Sequence, residues 1–298
     1  MPNDLVKRIK SGDIVLGDGA MGTRLIELGL TLNEAPEVWN LTKPDIIKEI
    51  HKSYFDAGSD YATSNTFGGN RKKLEFFNHH DKVIELNTYG IDHINSVKPD
   101  GCYCFASMGS TGVLIEPFGE MKLNEASDIF SEQSDIFEKA GADAILIETM
   151  IDMEEAYAAA KASLETTNLP VIVSFTFNIS PSGIRTMMGN SASDIVNRFK
   201  DLDIVALGAN CGCGIEDMIK IIKEYRSCTD SPLLAQANAG MPELQDGVNV
   251  YKETPEFMGD RIYQLLDAGT TILGGCCGTN QAHISRFKKE IREWKRNS

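Results

Sequence analysis

Apolar and polar positions along the chain fall into a repeating unit. A short run of β-branched or apolar residues leads into a turn of small residues, then into a longer stretch with helical patterning. The runs are Asp13–Gly19, Tyr61–Phe67, Cys102–Gly109, Ala144–Thr149, Val171–Phe177, Ile204–Cys211, Leu233–Ala239 and Thr271–Cys277. They begin roughly 27 to 48 residues apart, which leaves room for a helix after each. The helical stretches carry start and stop signals. Pro44 and Asp45 open one that Gly58 closes, and Gly141 and Gly269 close two more. Asp152 with Glu155 resembles a capping box. Thr254 ahead of Pro255 predicts an N-cap before one helix running through FMGDRIYQLLDAG.

Strands alternating with helices predict a parallel sheet joined by crossover helices. Eight such units in 298 residues predict a closed (β/α)₈ TIM barrel, an α/β fold. A doubly wound sheet is the alternative that alternation leaves open. No Pro-rich, Gly/Ser-rich or single-sign charged linker divides the chain, so residues 1–298 are read as one domain. In either fold, ligands bind beyond the C-terminal ends of the strands.

Composition narrows the function classes. Net charge is −14, from 43 acids against 29 bases, which argues against a nucleic-acid partner. No apolar run approaches the ~20 residues of a membrane span, and no signal-peptide core precedes the first strand, so no membrane partner and a cytoplasmic location are expected. Seven cysteines without a secretion signal point to metal binding or catalysis rather than to disulfides.

The strand ends hold the chemistry: Asp18, Thr66, Glu148, Asn210, Cys211, Cys276 and Cys277. In a barrel, run seven alone separates runs six and eight, so Cys211 can meet Cys276 and Cys277 across 65 residues of sequence. Three converging thiolates suit Zn²⁺ and leave one tetrahedral position open, the pattern of a catalytic site. Cys213 is a candidate fourth ligand that would make the zinc structural. Two buried core thiols are the plainer reading of an adjacent Cys-Cys pair, but the glycines of GGCCGT allow the backbone to bend there. Cys102 and Cys104, two apart on a strand, read as small buried hydrophobes. Cys228 has no assigned role. The five histidines, His51, His79, His80, His93 and His283, fall away from strand ends and read as surface or packed residues.

Gly17 to Gly22 fits the G-x-G-x-x-G form of a dinucleotide site, with Glu34 and Glu37 near the offset of a ribose-binding acid. The segment that follows holds two prolines and no clean second strand, so the turn reads instead as a platform for Asp18. A thiol is mostly protonated at neutral pH, and metal coordination makes it a nucleophilic thiolate. Asp18 and Glu148 can fix an ammonium group, and backbone N–H groups at Gly19–Gly22 can fix a carboxylate. An amino acid bearing a thiol would meet all three features. For either carboxylate the plainer reading is a helix cap or a barrel salt bridge.

DGAMGT at 18–23, SNTFGGN at 64–70, LIETM at 146–150, GANC at 208–211 and GGCCGT at 274–279 resemble the zinc-dependent homocysteine S-methyltransferases in order and spacing. The chain looks most like the homocysteine-binding module of cobalamin-dependent methionine synthases, and is more distantly similar to betaine–homocysteine methyltransferases. The resemblance implies one zinc per chain held by Cys211, Cys276 and Cys277, which are then also the catalytic residues. It implies homocysteine binding by Asp18, Gly19, Ala20, Met21 and Glu148, with Thr66 and Asn210 near the pocket. Two departures from the family pattern, SMGSTG around Ser110 and Cys213 in GANCGCG, bear on donor or acceptor preference.

No D-x-H-x-x-G cobalamin signature occurs, and the chain stops at Ser298 without folate or cobalamin modules. The methyl group is therefore expected from a separate methylated corrinoid protein carrying methylcobalamin, or from a methyltetrahydrofolate-linked system. Betaine or S-methylmethionine is the small-molecule alternative. A non-catalytic zinc or thiol-redox protein using Cys276 and Cys277 is the alternative of another class. Small thiols other than homocysteine stay open as acceptors, as does the oligomeric state.

Overall fold

The computed structural model describes residues 2–181, 183–245 and 248–297. Eight parallel strands form one sheet: β1 (Val15–Leu16), β2 (Tyr61–Thr63), β3 (Tyr103–Met108), β4 (Ala144–Met150), β5 (Val171–Phe175), β6 (Ala206–Asn210), β7 (Leu233–Ala237) and β8 (Thr270–Gly275). The spatial order is β1-β8-β7-β6-β5-β4-β3-β2, so each strand lies beside its neighbour in sequence and β1 returns to β8. This is the expected (β/α)₈ barrel. Six strands lie inside the runs that predicted them, while β4 extends one residue past its run and β8 starts one residue before its own; Asp18, Thr66, Cys211, Cys276 and Cys277 fall on the turns just beyond the strands, and Glu148 and Asn210 inside them.

The seam between β1 and β2 closes without a regular ladder. Leu16 donates its N–H to the Asp60 carboxylate at 2.9 Å, and Asp60 returns its own N–H to the Leu16 carbonyl. Two layers of apolar side chains explain the all-apolar strands. Tyr61, Phe105, Leu146, Ile172, Leu234 and Ile272 fill the barrel interior, and Leu5 and Ile9 of the N-terminal helix Pro2–Lys10 join that cluster. The opposite strand faces pack against the helices, where Ile47, Phe130, Ile195 and Phe287 are buried. Full burial of each such side chain stabilises the fold by roughly 1.5–3 kcal/mol.

The helix signals hold with two differences. Gly58, Gly141 and Gly269 take φ of +104°, +84° and +85° just past helix ends, as C-terminal caps require. Asp152 caps helix Met153–Thr166 by accepting the N–H groups of Glu154 and Glu155. The Glu155 carboxylate does not return to it; it accepts the backbone N–H and hydroxyl of Thr111, so the box is half formed. Thr254 caps as expected, but the helix it starts ends at Gly259 and resumes at Ile262. Two short hairpins interrupt the pattern after β5 and β7: Asn178–Ser180 with Gly183–Arg185, and Glu243–Gln245 with Val248–Val250.

Cys104 is fully buried between strand and helices, with Cys102 half-buried against the same cluster. His51, His93 and His283 are packed inside. No described helix is long and apolar enough to cross a membrane.

Candidate active site

The strand order brings β6, β7 and β8 side by side, and backbone bonds beyond the ladders carry that order onto the turns. Cys211 donates its N–H to Gln236, Cys276 to Ala237, and Ala239 to the Cys277 carbonyl. The sulfurs of Cys211, Cys276 and Cys277 consequently lie within 4.8 Å of one another, with Cys211 and Cys277 3.7 Å apart. Among the described residues this is the one group of metal-binding side chains so arranged. Two backbone features allow it. Cys211 has φ +60°, rare for a residue with a side chain, and Gly278 has φ +79° with the Tyr251 ring against its Cα.

The three thiols share their protons. Cys276 and Cys277 hydrogen-bond to Cys211, and the Gly212 N–H and the Asn238 amide add to them, so Cys211 is pushed down to about 3. Beside that thiolate, Cys276 and Cys277 are pushed up. Asn238 is buried with its Oδ1 unpartnered among the described residues. Three sulfurs clustered this closely suit a soft divalent metal. Cys213 takes no part. It turns into the hydrophobic core, and burial raises its thiol to about 12.

The cysteines form one wall of a cavity of about 270 Å³, which Asp18, Glu148, Thr149, Ser107 and Gln236 also line. Asp18 is buried and accepts the Thr63 N–H at 2.7 Å and the Thr63 hydroxyl at 2.9 Å. Burial, and secondarily the Glu148 charge, pushes its carboxyl up to about 7. Glu148, half-buried where it faces the cavity, accepts the Ser107 hydroxyl at 2.5 Å and the Asn210 amide at 3.3 Å. Its enclosure likewise raises it to about 7. Two carboxyls raised towards neutrality in one cavity are suited to a cation, because an incoming positive charge favours both charged forms.

Glycine is required at 19, where a Cβ would sit 2.8 Å from the Thr279 hydroxyl and 2.9 Å from the Tyr54 ring. Gly19, Ala20 and Met21 all line the cavity. The Ala20 N–H is taken by Thr279 and its carbonyl by the Tyr54 hydroxyl. The Gly17–Gly22 turn opens only the six-residue helix Gly22–Glu27, and the long crossover helix before β2, Pro44–Asp56, starts far beyond the glycines, so they do not form the strand-to-helix turn of a dinucleotide site.

Two expected site residues sit behind the wall instead of in it. Thr66 is fully buried, donating its hydroxyl to the Ser107 carbonyl at 2.8 Å. Asn210 is fully buried behind Glu148 and Thr149. Sequence reasoning gave no role to Thr63, Ser107, Gln236, Asn238 or Tyr251, although Ser107 and Asn238 fall at strand ends and Gln236 is a lone polar residue inside an apolar strand.

Known proteins share the fold and the sequence pattern. Methionine synthase of Mycobacterium tuberculosis is 28% identical over 97% of the chain, and that of Mycobacterium leprae 29% identical over 91%. The chain spans only about a quarter of those relatives' length, 25% and 24%. The metallated Escherichia coli homocysteine methyltransferase MmuM shares the fold, with a TM-score of 0.78 at 22% identity, covering 93% of this chain and 96% of that one. The family model for homocysteine S-methyltransferase matches residues 15–291. The chain belongs to the homocysteine S-methyltransferase family.

Proposed function

We propose that this chain binds zinc through Cys211, Cys276 and Cys277 and methylates the thiol of homocysteine to give methionine. The observation that carries the reading is one cavity with a three-sulfur cluster on one wall and the paired carboxyls Asp18 and Glu148 on another. Zinc bound there supplies an electrophilic position at which a substrate thiol is held as its thiolate. The protein's own residues do the rest. Asp18 and Glu148 take the ammonium group, and the Gly19–Met21 turn meets the carboxylate. The sulfur is left facing the mouth of the barrel, where it attacks the methyl carbon as the donor departs with the electron pair.

The donor we propose is a methylated corrinoid carried on a separate protein. Support comes from the loops beyond β2, β3, β5 and β7, which expose Phe67, Phe118, Met187, Met241 and Leu244 on the side that bears the cavity. An apolar face beside a cavity suits a macromolecular contact. A small-molecule donor such as betaine or S-methylmethionine is the second reading. The zinc-loaded protein should be assayed for methionine formation from homocysteine with methylcobalamin, betaine and S-methylmethionine in turn. Turnover with methylcobalamin alone supports the corrinoid donor. Turnover with betaine or S-methylmethionine alone replaces it. Failure with all three, zinc being present, is followed by the same assay with a methylated corrinoid protein, and failure there refutes the methyltransferase reading for this chain.

A further inference from the structure

Strand β4 does not pair evenly with β5. Ile147 faces Val173 and Met150 faces Phe175, so three steps on one strand match two on the other. The extra residue makes a β-bulge, a device that re-aims side chains next to sites. Here it turns both Glu148 and Thr149 towards the cavity, where regular alternation would send one away. The bulge requires Thr149 at φ +59°. A β-branched residue is a rare occupant of that region and stays there only when its surroundings hold it.

Asn210 supplies the hold. Its Oδ1 accepts the Thr149 N–H at 2.8 Å, and its Nδ2 donates to the Thr149 hydroxyl at 2.7 Å and to Glu148 Oε2 at 3.3 Å. Ser174 on β5 donates to the same Oδ1 at 2.7 Å and fixes the amide's orientation. Three groups of the bulge are thus tied to one side chain, and the next residue in the chain is Cys211. We infer that Asn210 is a positioning residue that sets the spacing between the ammonium-binding carboxylate of Glu148 and the sulfur cluster, without touching substrate itself. This rests on the functional reading above, and it accounts for a fully buried asparagine at the end of an otherwise apolar strand.

The test compares two thiols that differ only by the amino group, homocysteine and 4-mercaptobutanoate. Their affinities for zinc-loaded wild type, Asn210→Ala and Ser174→Ala are measured by calorimetry, with zinc content and melting temperature alongside. Hydrogen bonds to charged groups govern roughly 10- to 100-fold in affinity. Asn210→Ala should lose homocysteine affinity by about that factor while 4-mercaptobutanoate binding changes by less than about threefold. Ser174→Ala, the milder change, should move homocysteine affinity alone by a few fold, and it carries the test if Asn210→Ala does not fold. Equal losses for both thiols, or no loss for either, would overturn the inference while leaving the functional reading intact. A wild type that binds both thiols equally well would instead remove the ammonium role of Glu148, and this inference with it.

Discussion

The carboxylate of Asp18 holds Thr63 by two hydrogen bonds, one to its backbone N–H at 2.7 Å and one to its hydroxyl at 2.9 Å, across the seam where β1 meets β2. That seam has no regular ladder, so Asp18 belongs at once to the barrel's closure and to the wall of its cavity. Asp18→Asn turns an amide N–H towards one of those donors. The expected result is a stability loss of about 1–3 kcal/mol together with weaker homocysteine binding. Urea denaturation and calorimetry on the same preparation check both; a loss confined to stability would leave Asp18 as a structural residue only.

Asp18 and Glu148 both sit near 7, whereas carboxylates in an unfolded chain ionise near ~4. The folded state therefore holds more protons between those values. The pair's contribution is favourable below about pH 4 and is lost as pH rises towards 7, after which it is flat. Ligand binding runs the other way, because an ammonium group needs the anions. Homocysteine affinity relative to 4-mercaptobutanoate should rise as pH passes from 6 to 8, and Glu148→Gln should flatten that rise. Parallel pH profiles for the two thiols would contradict the assignment.

His51 is fully buried on the helix facing the barrel, with both ring nitrogens unpartnered among the described residues. Burial pushes it down to about 3, against about 6.5 in the unfolded chain. The unfolded state takes up the proton first, so this group costs stability progressively as pH falls from about 6.5 towards 3. His51→Leu removes that dependence and the unpartnered donor, and should stabilise the protein by about 1–3 kcal/mol, more at pH 5 than at pH 8. Denaturation midpoints at the two pH values test it.

Cys213→Ala should keep a full complement of zinc, because that thiol lies in the core and outside the sulfur cluster. Its cost is a small cavity worth about 1 kcal/mol. Gly278→Ala should do the opposite. A side chain there meets the Tyr251 ring at a backbone angle of +79°, so the turn carrying Cys277 must shift and metal retention must fall. Metal analysis of both variants after dialysis separates the two sites; zinc lost from Cys213→Ala would make that residue a ligand.

Much of the fold was legible because the strands are mostly apolar and several helices are punctuated by proline, aspartate or glycine. The sulfur cluster was legible because barrel order alone places β6 two strands from β8. What escaped depends on contacts across the barrel. Asn210, expected near the pocket from its GANC motif, stands behind the wall because its partners Glu148 and Thr149 come from another strand, 62 and 61 residues away. Thr66 was carried forward on its motif, but its hydroxyl serves the Ser107 carbonyl. Glu155 matched a capping box by spacing, and the nearby Thr111 N–H and hydroxyl captured it instead. The helix after Thr254 ends at Gly259, an internal glycine of the stretch expected to be one helix, and resumes at Ile262.

The most direct test of the account is the metal itself. Zinc content should be measured in wild type and Cys277→Ser, followed by X-ray absorption at the zinc edge with and without homocysteine. The expected result is one zinc per chain, weakened or lost in the variant, with a further sulfur neighbour appearing when homocysteine is added. No zinc, or a zinc whose sulfur neighbours are unchanged by homocysteine, would contradict the claim that the three cysteines activate a substrate thiol.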